Sequence, residues 1–233
     1  MPNAHRSPYR FVNVIGMMWE GHNNRAGRGA VKNDEEEFDM VMNAFRNYGF
    51  GIHKEHIPQR ASDRFARYLQ DRLDHFDSRG LVILYYQGHG SLDRHNELVL
   101  HSGNGSHIRF QEIGNAILSA RVDVLMMLNC CHAGAALHTP WQPRNNINYE
   151  NHVKDIIMAV PANQTTAWGR AEGFAAALEQ ALREKHNTWP DGFRGTPEHW
   201  AKAISRIMRR NVGARHLVAY PRGRSDQPIV VAR

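Results

Sequence analysis

Two apolar runs in this chain end on residues able to do nucleophilic chemistry. Leu81 to Gly90 (LVILYYQGHG) closes on Gly88-His89-Gly90, and Val122 to Gly134 (VDVLMMLNCCHAG) closes on Cys130-Cys131-His132-Ala133-Gly134. Each run has the length and composition of a strand buried on both faces. If the two strands are neighbours, a thiol and an imidazole meet at their C-terminal ends, the minimum equipment of a cysteine hydrolase. Ligands of open parallel sheets bind beyond those ends. Gly90 would let backbone approach a substrate closely, and the Gly90 and Cys131 N–H groups are the candidate oxyanion donors. The bland alternative is a simple Gly-His-Gly turn beside buried core thiols, since free cysteine is often buried.

The elements needed to carry such strands follow in order. Phe11 to Met18 is a strand-length apolar run. Asn33 to Tyr48 places Phe38, Val41, Met42, Phe45 and Tyr48 at helical spacing behind an acidic first turn. Gly51 to Ile57 reads as a weak strand near a sheet edge. A helix capped by Ser62 would bury Phe65, Tyr68, Leu69, Leu73 and Phe76. After the His89 strand, Glu97 to His101 reads as a hairpin arm and Phe110 to Ala120 as a helix. Residues 135–155 form an aperiodic Pro/Asn-rich connection, expected to be a flexible or processing loop with Arg144 and Lys154 as cleavage points. Ile156 to Val160 is a further strand, and Phe174, Ala177, Leu178, Ala181 and Leu182 mark a helix face. Thr196-Pro197-Glu198 opens a last helix, with Trp200, Ile204, Ile207 and Met208 turned inward. His216 to Tyr220 and Ile229 to Val231 can supply terminal strands. This alternation predicts a parallel sheet covered on both faces, in one domain over residues 1–233.

Composition narrows the function classes. The chain has 233 residues, 42% hydrophobic and 22% charged, as in an ordinary globular protein. No apolar run reaches the roughly 18 residues of a membrane span. Met1 to Tyr9 is polar with two prolines, unlike a secretory signal. Its only two cysteines are adjacent and form no disulfide framework, so a reducing compartment, the cytoplasm, is expected. The net charge of +6 is scattered apart from Arg206, Arg209, Arg210 and Arg215, and no nucleic-acid motif accompanies it. Cys130, Cys131 and His132 are too close in sequence to share one tetrahedral zinc. Gly27-x-Gly29 lacks the third glycine of a dinucleotide loop.

YYQGHG followed by NCCHAG resembles the two signature turns of the caspase and metacaspase clan of cysteine peptidases, and is most similar to fungal caspase-like domains. Gly29-Ala30-Val31-Lys32-Asn33 resembles the clan's Gly-Cys-x-Asn-Asp, and Ala159 to Ala167 resembles its Ala-Cys-x-Asp-Asp-Gln-Thr-Ser-Ala. The resemblance implies a three-layer α/β sandwich around a six-stranded, mostly parallel sheet. It implies a cysteine endopeptidase with Cys131 as nucleophile and His89 as base, acting on peptide or protein substrates in regulated proteolysis or cell-death-type signalling. The alternative is a non-catalytic caspase-like interaction or regulatory domain. Metacaspases hold a basic substrate residue with acidic side chains. Here Asn33, Asn129 and Asn163 fall on such positions, Trp168 on another, and Asp34 lies one residue off. The expectation is a specificity pocket of Asn33, Asp34, Asn129, Asn163 and Trp168 with a weakened preference for Arg or Lys. Many metacaspases need calcium; the stretch after His89 is poor in carboxylates and offers no calcium site, so no cofactor is expected.

Overall fold

The computed structural model describes residues 9–21, 34–60, 63–102, 105–139, 152–166, 173–188, 196–208 and 213–216. Strands β1 (Val12–Trp19), β3 (Leu81–Gln87), β7 (Asp123–Asn129) and β8 (Lys154–Met158) are almost entirely buried, as their unbroken apolar runs require. With β2 (Gly51–Ile57) and β9 (Gly213–His216) they form a six-stranded sheet ordered β2-β1-β3-β7-β8-β9. Neighbours from β2 to β8 run parallel, and β9 is antiparallel to β8.

Helices cover both faces. α1 (Asp34–Asn47), α4 (Phe174–Thr188) and α5 (Pro197–Met208) bury Phe38, Phe45, Leu178, Trp200 and Ile204 against one. α2 (Asp63–Asp74) and α3 (Phe110–Ser119) bury Phe65, Leu69, Leu73, Ile113 and Ile117 against the other. The three-layer α/β sandwich predicted from the alternation is present. A second, three-stranded antiparallel sheet, β4 (His89–Leu92), β5 (Leu98–His101) and β6 (His107–Arg109), hangs from the end of β3 and leads directly into α3. Among the described residues no helix is long and apolar enough to cross a membrane.

Several expectations shift. The connection expected over 135–155 is structured at both ends. A 3-10 turn covers Ala133–Leu137, and β8 already starts at Lys154. Lys154 is 1% exposed, and its ammonium donates to the Ala120 and Val122 carbonyls, so it is no accessible cleavage point. Residues 140–151, with Arg144, lie outside the described residues, as do Ser62 and 217–233. The last described strand is Gly213–His216, beginning upstream of the predicted His216.

Candidate active site

β3 and β7 are neighbours in register, with Gln87 opposite Asn129. Both strands end at that pair, so His89 and Cys131 each stand two residues past it, at the same end of the sheet. The Gly88 N–H donates to the Asn129 carbonyl at 3.3 Å, so the pairing carries on past the strand ends. The two cysteines are not equivalent. Cys130 is fully buried, and burial pushes its thiol far above the ordinary range, with the Cys131 sulfur adding to the shift. Cys131 is half-exposed. A buried neutral thiol is inert, whereas an accessible one can react.

Gly90 lies against this turn. A Cβ added there would overlap the Cys131 carbonyl oxygen and come within 3.0 Å of the Cys130 Sγ. Only glycine fits this approach of backbone to backbone.

The segment after β8 straps the Cys131 turn in place. His132 adopts left-handed backbone (φ 58°), uncommon for a residue with a side chain. Two hydrogen bonds compensate. Its N–H donates to the Gln164 carbonyl at 2.8 Å, and Nδ1 donates to the Ala162 carbonyl at 2.8 Å. The Gly134 N–H donates to the Val160 carbonyl at 3.0 Å, and a side chain on Gly134 would come within 2.5 Å of the Ala162 nitrogen. Further on, the Thr166 N–H donates to the Cys131 Sγ at 3.4 Å. His132 therefore holds the strap.

His89 is fixed from two sides. The Tyr86 hydroxyl donates to its carbonyl at 2.9 Å and accepts from the Trp19 indole N–H at 3.2 Å. The His89 ring stacks on that of His101, with centroids 5.1 Å apart and planes 15° apart.

A polar network occupies the opposite layer, beneath the same strand ends. Asn129 is 1% exposed and donates from Nδ2 to the Tyr85 hydroxyl at 3.2 Å; its Oδ1 has no partner among the described residues. The Tyr85 hydroxyl donates to Gln87 Oε1 at 2.7 Å. Gln87 Nε2 donates to the Asp34 carbonyl at 2.8 Å and to Glu37 Oε2 at 3.3 Å. Burial and the nearby Glu37 carboxylate push the Tyr85 phenol well above its usual range, so it stays a donor.

Asn129 is thus linked through Tyr85 and Gln87 to the Asp34 carbonyl and to Glu37; Tyr85, Gln87 and Glu37 are three residues that sequence reasoning missed. Gln87 ends the strand before His89, and Glu37 lies one turn into α1. Gln87, a polar group closing an apolar strand, is a detectable signal; Glu37, one of three consecutive glutamates, is not. Asn163 is exposed on the strap, and Asn33 and Trp168 lie outside the described residues.

No group of three His, Cys, Asp or Glu among the described residues is placed to hold a metal ion. Asp93, the first carboxylate after His89, is taken up by its own turn, accepting from the His95 and Glu97 N–H groups at 2.7 and 3.0 Å.

No family model matches the chain, and no curated protein sequence matches it. Solved structures do. Caspase-1 from Spodoptera frugiperda superposes with a TM-score of 0.56 at 13% identity, over 89% of this chain and 82% of that one. Protein GSU0716 from Geobacter sulfurreducens superposes with a TM-score of 0.62 at 14% identity, over 95% of this chain and 99% of that one. At such identities the likeness speaks for architecture, and the strand order, flanking helices and appended small sheet make that architecture a caspase-like fold.

Proposed function

We propose that the chain is a cysteine endopeptidase of the caspase and metacaspase type, working with a Cys131–His89 dyad on peptide or protein substrates. The observation that carries this is the Gln87–Asn129 register. It sets an imidazole and a half-exposed thiol at one level beyond adjacent parallel strands, while the second thiol is buried.

In the proposed reaction His89 takes the Cys131 thiol proton as sulfur bonds to the scissile carbonyl carbon. The carbonyl electron pair moves onto oxygen, where the Gly90 and Cys131 N–H groups are the proposed donors. The tetrahedral intermediate collapses, the C–N bond breaks, and the leaving amine takes the proton from His89. Water then attacks the thioester while His89 accepts its proton; the C–S bond breaks and the thiolate is reprotonated.

The substrate residue before the scissile bond is proposed to enter the layer of Asn129, Asp34 and Glu37. Asn129 presents an amide where metacaspases present a carboxylate, so the preference for Arg or Lys is weakened, with Glu37 left to answer a cation.

The test is a positional peptide-library assay with labelling by a peptidyl-ketone probe. Cleavage and labelling should both vanish in Cys131→Ala and His89→Ala and persist in Cys130→Ala. Labelling that survives in Cys131→Ala and is lost in Cys130→Ala would refute the assignment.

A further inference from the structure

The small sheet has two unlike faces. Alternation along its strands puts Gly90, Leu98, Leu100 and Ile108 on the face packed into the core. The other face carries His89, Ser91, Val99, His101, His107 and Arg109. Cross-strand pairing sets His89 opposite His101, and His101 opposite His107, so three imidazoles stand in a row that begins with the dyad histidine. The first two rings stack nearly parallel, while the third is exposed with Nδ1 at 3.3 Å from the Gly105 carbonyl.

We infer that His101 is a positioning residue for His89, stacking on its ring to fix the plane of the base and disfavour its protonated form. This rests on the dyad reading above. The last torsion of a histidine is broad, and the His101 ring packs on the face of His89 directly across the strand pair. The same closeness carries an electrostatic consequence: two imidazolium ions at this separation repel, so the pair resists holding two protons.

Other titratable or charged groups belong to the same region. His107 and Arg109 from β6 share the face of the pair, Asp93 follows β4, Tyr86 from β3 donates to the His89 carbonyl, and Cys130 and Cys131 lie against Gly90 on the other face. Arg109 and a protonated His107 push in the same direction as His101, and Asp93 opposes them. A neutral His89 is the form able to take the thiol proton.

The experiment follows the His89 C2–H resonance with pH, identified by its loss in His89→Ala, in wild type and in His101→Phe and His101→Ala. Peptide turnover and the iodoacetamide rate at Cys131 are measured alongside. Phenylalanine keeps a flat ring against His89 without a charge. It should raise the His89 midpoint by roughly half a pH unit, move the acid limb of the alkylation profile with it, and keep most of kcat. Alanine should lower kcat about tenfold or more with KM little changed, because ring placement is lost. An unmoved His89 midpoint in His101→Phe, together with full kcat in His101→Ala, would overturn the inference. If no peptide is cleaved while the midpoint still moves, the peptidase reading fails and the histidine pairing stands.

Discussion

The backbone N–H of Thr166 points at the sulfur of Cys131, 3.4 Å away. The donor belongs to the strap after β8, whose other ties run from His132 to Ala162 and Gln164 and from Gly134 to Val160. A donor aimed at sulfur holds the Cys131 side chain in one orientation. Thr166→Pro removes this N–H, and Thr166→Ala keeps it. The proline variant should alkylate with iodoacetamide several-fold more slowly at neutral pH, and the alanine variant at the wild-type rate. Equal rates for both would show that this contact does not govern the thiol.

Gly90→Ala tests the closeness of the two turns. The added methyl meets the Cys131 carbonyl, which is backbone and cannot swing aside. Overpacking of this kind costs about 1–3 kcal/mol, read as a lower denaturation midpoint. A larger effect is expected on turnover, because displacing Cys131 by about 1 Å is enough to cost about 100-fold.

Asn129→Asp tests the pocket. The new carboxylate would lie beside Tyr85, in the layer that also holds Glu37. Relative turnover of Arg over neutral substrates should rise by about tenfold, as one charge-assisted hydrogen bond of about 1.5 kcal/mol allows. A loss of stability should accompany it, because a third buried carboxylate, beside Asp34 and Glu37, is costly. Wild-type cleavage strictly after Arg or Lys, unaffected by Asn129→Asp, would exclude the proposed weakening.

Lys154 makes a prediction about stability. Burial lowers its pKa from 10.5 to about 7, partly opposed by Asp123 and Asp74. A neutral amine still has two hydrogens for the Ala120 and Val122 carbonyls. Between pH 7 and 10.5 the unfolded chain holds this proton and the folded chain does not, so this residue makes stability rise with pH across that window. Its slope is at most about 1.4 kcal/mol per pH unit. Urea denaturation from pH 7 to 9 should show a rising contribution that Lys154→Met lacks.

The parallel sheet was legible because β3 and β7 are buried on both faces and leave unbroken apolar runs; the order of its strands was not. His89 and Cys131 were legible for the same reason: reactive residues directly after such runs fall at the sheet's C-terminal end. Glu37 was not, since nothing local distinguishes it from the exposed Glu35 and Glu36 beside it. Its burial depends on where the start of α1 meets the ends of β3 and β7. Lys154 misled because a charge normally signals exposure, and its partners, two carbonyls after α3, are invisible in a residue pattern. The pairing of His101 with His89 depended on hairpin register, set by the turn through Asn96 in left-handed backbone.

Adjacent tyrosines in β3 point into opposite layers. The Tyr85 hydroxyl joins the Asn129 network, and the Tyr86 hydroxyl joins Trp19 to the His89 backbone. Shifting β3 by one residue against its neighbours would exchange the layers, parting the Tyr85 hydroxyl from Asn129 and the Tyr86 hydroxyl from Trp19. A hydroxyl left unmet in the core costs about 1–3 kcal/mol, a large part of the stability of a single domain. The apolar residues around them would tolerate such a slip far better, since Leu, Val and Ile are close to interchangeable in burial. The tyrosine pair therefore favours the alignment in which His89 and Cys131 end at the same height.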